Sequence, residues 1–250
     1  MTRVVAVLPF VYRPYYDAFL ATSRLAEHPE VEFMPVDNTV TNRGIMAAQN
    51  EGIRRTFEVD ADWMVILSAA IRFGEPGGLD FIDLLFEKDD HYVVHAASNN
   101  VAGGRQDDGT PGGGVNAVFG WHLTAFKREV FENVGTFDEN FSPYGLDDVD
   151  LSIRIQKHYK GRKTADGVAA WNTYPIEVSD TTMSHSIQLA GVVSPYEPKA
   201  AYFTRKWGRT PADWQNPGWD HPFGDESKGL DYWPAPDDPR SIHNNELRPQ

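Results

Sequence analysis

Residues 3–10 read RVVAVLPF, a β-branched apolar run that stops at Pro9 and Phe10. A run this short, with no polar alternation, predicts a strand buried on both faces. The segments after it repeat a pattern. Residues 14–28, PYYDAFLATSRLAEH, put Tyr15, Phe19, Leu20 and Leu25 on one helical face, and Pro14 suits a first helical turn. Residues 31–36, VEFMPV, predict a second strand that closes at Asp37-Asn38. Residues 42–55, NRGIMAAQNEGIRR, predict a helix with Asn42 as its cap. Residues 63–67, WMVIL, predict a third buried strand. Strand, helix, strand, helix, strand over the first 70 residues argues for an α/β domain, its mainly parallel sheet flanked by helices.

The rest of the chain is less regular. FIDLLF (81–86) predicts a short helix and YVVHAA (92–97) a strand. Residues 102–114, AGGRQDDGTPGGG, hold six glycines and predict a loop. Residues 115–119 and 123–126 read as strand pieces, and 127–134, KREVFENV, as a short helix. DDVDLSIRIQKHY (147–159) predicts a stronger helix, acids in its first turn and bases in its last. One more strand is expected within 167–178. After Gly208 the chain turns rich in Pro, Asp and Asn, yet carries Trp214, Trp219 and Trp233. The expected division is a domain over 1–207 and an irregular C-terminal arm over 208–250. The arm is expected to pack on the domain or on a neighbouring subunit of a homo-oligomer.

The chain has 250 residues and a formal net charge of −13. That balance counts against a protein that grips nucleic acid through phosphates. No stretch of about 18 apolar residues predicts a membrane span. With no cysteine, disulfide scaffolds, cysteine-bound zinc and thiol nucleophiles are excluded, and a cytoplasmic protein is expected.

Four constellations could carry chemistry. The end of the second strand, Val36-Asp37-Asn38, lies where open α/β sheets bind ligands, and Asn42, Gly44, Asn50 and Gly52 follow at the same edge. Small residues there let the backbone approach a nucleotide, and a helix start favours an anion; the plainer reading of Asp37 is a turn cap. Asp147, Asp148 and Asp150 cluster at a helix start. Three acids are more than dipole complementation needs, and a carboxylate beside another has a raised pKa that suits a general base. Asp150 and Arg154 stand four apart and can pair. His185 is a lone histidine, a residue more often structural than metal-bound. KAAYFTRKW (199–207) offers Lys199, Arg205 and Lys206 to a diphosphate, or else forms a solvated helix face.

In this order the segments resemble glycosyltransferase family 2, the inverting nucleotide-sugar transferases of GT-A fold. The likeness runs from VVAVLPF and Val36-Asp37-Asn38 through NRGIMAAQNEGI (42–53), close to an N-x-G-x-x-x-A-x-N-x-G-I run, and DADWMVIL (60–67). VFENVGTFDENF (130–141) is close to V-F-x-x-V-G-x-F-D-E-x-F, and Asp147-Asp148-Val149-Asp150-Leu151 with Arg154 matches E-D-x-D-L-x-x-R. Tyr202-Phe203 with Lys206-Trp207-Gly208 resembles the closing segment.

The resemblance implies a GT-A (Rossmann-like) mixed sheet and a nucleotide-diphosphate sugar as donor substrate, a UDP-sugar favoured. The donor would meet Phe10, Asp37, Asn38, Asn42, Asn50, Ser68 and Arg72. Gly113 (in the Gly112–Gly114 loop), Trp121 and Asp150 would lie near the donor sugar or the acceptor. Asp147 or Asp148 would be the general base, Asp147 preferred. Lys199, Arg205 and Lys206 would meet the diphosphate. The acceptor would be a hydroxyl of a protein, a glycan or another molecule.

One departure stands out. Where the family carries an acidic D-x-D motif that holds Mn²⁺ or Mg²⁺, this chain has Ser68-Ala69-Ala70. Arg72, with Lys199, Arg205 or Lys206, is expected to replace the metal's charge; a loosely held ion at His185 is the rival. Two other readings remain: a catalytically silent nucleotide-sugar or glycan-binding protein on the same fold, and a transferase acting on modified DNA bases. A dehydrogenase is disfavoured, because no G-x-G-x-x-G follows the first strand.

Overall fold

The computed structural model describes residues 3–87, 91–98, 122–159, 170–178, 189–213 and 222–224. The elements are β1 (Val4–Phe10), α1 (Arg13–Leu20), β2 (Val31–Asp37), α2 (Ile45–Glu58), β3 (Trp63–Leu67), β4 (Ile71–Arg72), α3 (Leu79–Glu87), β5 (Val93–Ser98), β6 (Leu123–Lys127), α4 (Arg128–Val134), α5 (Asp147–Tyr159), β7 (Ala170–Val178) and α6 (Tyr196–Trp207). The strands form a mixed sheet in the order β2-β1-β3-β6-β5-β7-β4. β1 runs parallel to both β2 and β3, while β6 runs antiparallel to β3 and to β5. The fold class expected from the alternation is the one observed.

The central strands are apolar throughout because each face meets its own layer. Val5 and Val7 of β1, with Met64 and Ile66 of β3, enter the core that α2, α4, α5 and α6 cover. Val4, Ala6 and Leu8, with Trp63, Val65 and Leu67, enter the core under α1 and α3. Alternate side chains point to opposite faces, so no position of these strands is left for water. α2 lies close on the sheet at Gly52, where a Cβ would stand 2.1 Å from Val7 Cγ2.

The expected elements reappear with shifted ends. The predicted helix over 14–28 divides into α1 and a 3₁₀ turn at Leu25–Glu27. The predicted helix over 42–55 starts later: Asn42 Oδ1 accepts from Gly44 N–H (2.9 Å), and α2 proper begins at Ile45. β4, two residues long, had no signal of its own in the sequence. The loop at 102–114, the strand piece at 115–119 and most of the arm from 214 onward lie outside the described residues. Among the described residues no helix is long and apolar enough to cross a membrane.

Candidate functional site

A cleft opens at the carboxyl ends of β1, β2 and β3, with about 510 Å³ of empty space including its open mouth. Pro9, Phe10, Val11 and Tyr12 come from the end of β1, and Tyr15 from α1. Asn38, Asn42 and Ile45 come from the β2–α2 connection, and Ser68 and Ala69 from just past β3. Pro143, Tyr144 and Val192 close the other side. Four of the sequence-predicted donor residues, Phe10, Asn38, Asn42 and Ser68, are thus brought together. Tyr12, Tyr15 and Tyr144 were not singled out, although YRPYY directly after a buried strand was the available signal. The Phe10 ring stacks on Tyr16 with centroids 4.2 Å apart, which fixes its plane at the rim.

Asn38 is the polar group built into this apolar lining. It is 3% exposed, and its Nδ2 makes a long bond to Gly44 O at 3.4 Å. Its Oδ1 has no hydrogen-bond partner among the described residues. A buried acceptor left open is costly and calls for an incoming donor. Asp37 behaves as the plainer reading had it. It is exposed and its Oδ1 accepts from Thr39 Oγ1 (2.6 Å) and Thr39 N–H (2.8 Å), which holds the carboxylate below its ordinary range. At the start of α2, Ile45 N–H donates to Pro143 O at 2.9 Å.

The acid pair sits at the first turn of α5, three residues beyond Tyr144. Asp147 is 5% exposed and its Oδ1 accepts from Gly145 N–H at 2.9 Å. Asp148 is half-buried, with Oδ1 accepting from Val149 N–H at 2.8 Å. Burial, and next the neighbouring Asp147 charge, push the Asp148 carboxyl up to about 7. The chain reaches this turn through two left-handed residues, Gly145 (φ 103°) and Leu146 (φ 67°).

Arg72 stands half-buried at the end of β4. Its Nη1 donates to Ala69 O (2.9 Å) and Ile71 O (2.6 Å), and its guanidinium lies 5.9 Å from the centroid of the cleft residue Tyr15. The place of the acidic motif does not fit a hard divalent cation. Ser68 Oγ accepts from Ala70 N–H, Ala69 and Ala70 bring no ligand, and no metal-holding group of acids and histidines exists among the described residues. His185, Gly113 and Trp121 lie outside the described residues.

The remaining predicted site residues are committed elsewhere. Lys206, expected at the diphosphate, is fully buried, its Nζ 2.8 Å from both Asp138 Oδ2 and Asp150 Oδ1. Asp150, expected near the sugar, accepts from Trp207 Nε1 (2.8 Å) and Arg154 Nε (3.1 Å). Arg154 also donates to Thr136 O and Val134 O, and Tyr202 Oη to Asp138 Oδ2. Burial opposes the Asp138 charge, but Lys206 and the donors around it outweigh burial and hold it ionised. The parts of the sequence that most resemble a family signature therefore meet in a closed ionic knot under α5 and α6. Asn50, expected at the donor, ties α2 to the chain after α4: its amide bonds both N–H and C=O of Phe137 (2.9 Å each). Arg205 lies over Tyr202 of that knot, at 5.8 Å from the ring centroid, and is not part of the cleft lining. Lys199 is 3% exposed and packs against Tyr144 from outside the lining.

No family model and no curated protein matches the chain. Solved structures do. The mannosyltransferase PcManGT from Pyrobaculum calidifontis, in complex with GDP-Man and Mn²⁺, aligns with a TM-score of 0.51 at 15% identity, over 85% of this chain and 67% of that one. S. aureus TarS, residues 1–349, aligns with a TM-score of 0.50 at 10% identity, over 77% of this chain and 65% of that one. The chain thus spans about two thirds of these neighbours. At such identities the likeness is one of fold, and the fold is that of the GT-A glycosyltransferases.

Proposed function

We propose that the protein is a glycosyltransferase that moves a sugar from a nucleotide-diphosphate sugar to an acceptor hydroxyl with inversion. The observation that carries this reading is the pairing of an aromatic cleft at the strand ends with two adjacent carboxyls on the next turn. Phe10, Tyr12, Tyr15 and Tyr144 offer flat faces to a base, and Asn38 Oδ1 offers the acceptor that an N–H on the base edge would fill. A UDP-sugar is the favoured donor. In the reaction the acceptor oxygen attacks the anomeric carbon and the bond to the diphosphate breaks. The acceptor proton passes to a carboxylate of the acid pair. We assign that role to Asp148, whose position near 7 suits a base at neutral pH; Asp147, held by Gly145 N–H, supplies the neighbouring charge. We assign the charge of the leaving diphosphate to Arg72, whose guanidinium lies beside the cleft residue Tyr15, because Ser68-Ala69-Ala70 brings no carboxylate for a metal.

Asp148→Asn tests the assignment. Turnover, followed as release of nucleoside diphosphate, should fall by about 10²- to 10⁴-fold, while affinity for the diphosphate stays within about twofold of wild type. Equal turnover in the variant would overturn the Asp148 assignment, and a wild type that binds the diphosphate but releases none from any donor would leave a binding protein on this fold as the better reading.

A further inference from the structure

The buried ammonium of Lys199 is left unexplained by the cleft. It lies in the first turn of α6, 3% exposed, and its Nζ donates to Tyr144 O at 2.7 Å and to Ser194 Oγ. Ser194 Oγ donates to the same Tyr144 carbonyl at 2.7 Å, and the Tyr144 ring centroid is 5.3 Å from Nζ. A Cβ on Gly145 would stand 3.7 Å from Nζ. One cation thus joins α6, the segment before it and the turn that leads into the acid pair.

We propose that Lys199 is a positioning residue: its ammonium clamps the Tyr144–Gly145 turn and so sets where the Asp147 and Asp148 carboxyls stand. Three observations support the clamp. Tyr144 lines the cleft while its carbonyl accepts from Nζ, so the clamp reaches the site without entering it. Leu146 is left-handed, a conformation that a leucine disfavours, so the turn is held there by its bonds and not by its own backbone preference. Asp147 is the charge that acts on Lys199, and Asp147 is also the charge that acts on Asp148. Burial lowers the Lys199 ammonium, and the Asp147 carboxylate opposes that. Tyr144 lies under Nζ, Glu197 and Tyr196 of the same turn of α6 are exposed, and farther along α6 Tyr202, Arg205 and Lys206 belong to the knot with Asp138 and Asp150. The cation thus faces the same Asp147 charge that raises Asp148.

The inference rests on the proposed function only in taking the acid pair as the base, and its test needs no substrate. The carboxyl carbons of ¹³C-aspartate protein are titrated by NMR in wild type, Lys199→Met and Lys199→Arg, with thermal unfolding and UDP titration alongside. Lys199→Met should stay folded and move the titration of the acid pair up by about one pH unit. Lys199→Arg should restore it, together with the wild-type affinity for UDP. An unmoved titration in folded Lys199→Met overturns the clamp. If Lys199→Met does not fold, the wild-type ¹⁵N-lysine spectrum decides. A slowly exchanging ammonium signal that shifts as the acid pair titrates supports the proposal, and the fast exchange of a surface lysine overturns it. Loss of UDP binding by wild type itself would fault the proposed function and leave the clamp standing.

Discussion

Asp148 sets the pH behaviour of the molecule at the scale of single residues. Its carboxyl stands near 7, well above the ordinary 3.8, because burial and Asp147 disfavour the charge. A carboxyl raised in the folded state binds more protons there than in the unfolded chain between those two values. Stability from this group is therefore greatest at low pH and is lost as pH rises toward 7. Catalysis runs the other way, since a base must be ionised. Turnover should fall as pH drops below about 7, and Asp148→Asn should melt higher than wild type at pH 8 while losing turnover; a lower melting temperature would contradict the assignment. Arg72→Ala should weaken nucleoside diphosphate binding by roughly ten- to a hundredfold, as expected for a charged hydrogen bond of about 1.5–3 kcal/mol, and leave binding of the bare nucleoside nearly unchanged in calorimetry. The sequence pointed to the acid pair through three carboxylates within four residues at a helix start. It could not tell Asp150 from its neighbours, because which acid faces a buried Lys206 and Trp207 is decided by a helix some fifty residues away.

The elements are held by that knot and by close packing. Asp138 and Asp150 face Lys206 and Arg154, so two negative and two positive charges balance without water. Removing one cation leaves buried carboxylates unpaired. Lys206→Met should cost about 3–5 kcal/mol in urea unfolding, against well under 1 kcal/mol for the exposed Arg13–Asp17 pair. Gly52→Ala should cost about 1–3 kcal/mol, because the added methyl meets Val7 of β1; an unchanged midpoint would show that α2 can lift freely from the sheet. The strands were legible because apolar runs such as WMVIL admit no other burial. The late start of α2 was not, because Gly44 and the Pro143 carbonyl, distant in sequence, decide where its first turn can close. The basic run 199–207 reads in sequence as cations for a diphosphate or as a solvated helix face. Its helical spacing turns Lys199 and Lys206 inward, where each meets oxygen atoms.

The whole molecule is acidic, at −13, yet aromatic rings line its cleft and the Arg72 guanidinium stands beside one of them, Tyr15. The alternation of strands and helices was enough to predict the fold, and the fold places the cleft at the strand ends. The lining was less legible. Tyr144 and Val192 reach it from segments whose position depends on α6, and Asn38 is distinguished from Asp37 only by which of the two turns inward. The central claim is that this cleft takes a nucleoside diphosphate without needing a carboxylate-bound metal. Calorimetric titration with UDP, GDP, dTDP and CDP, each with EDTA and each with Mn²⁺, tests it most directly. One diphosphate, UDP favoured, should bind with an affinity that survives EDTA. Binding that appears only with Mn²⁺, or no binding by any of the four, would contradict it.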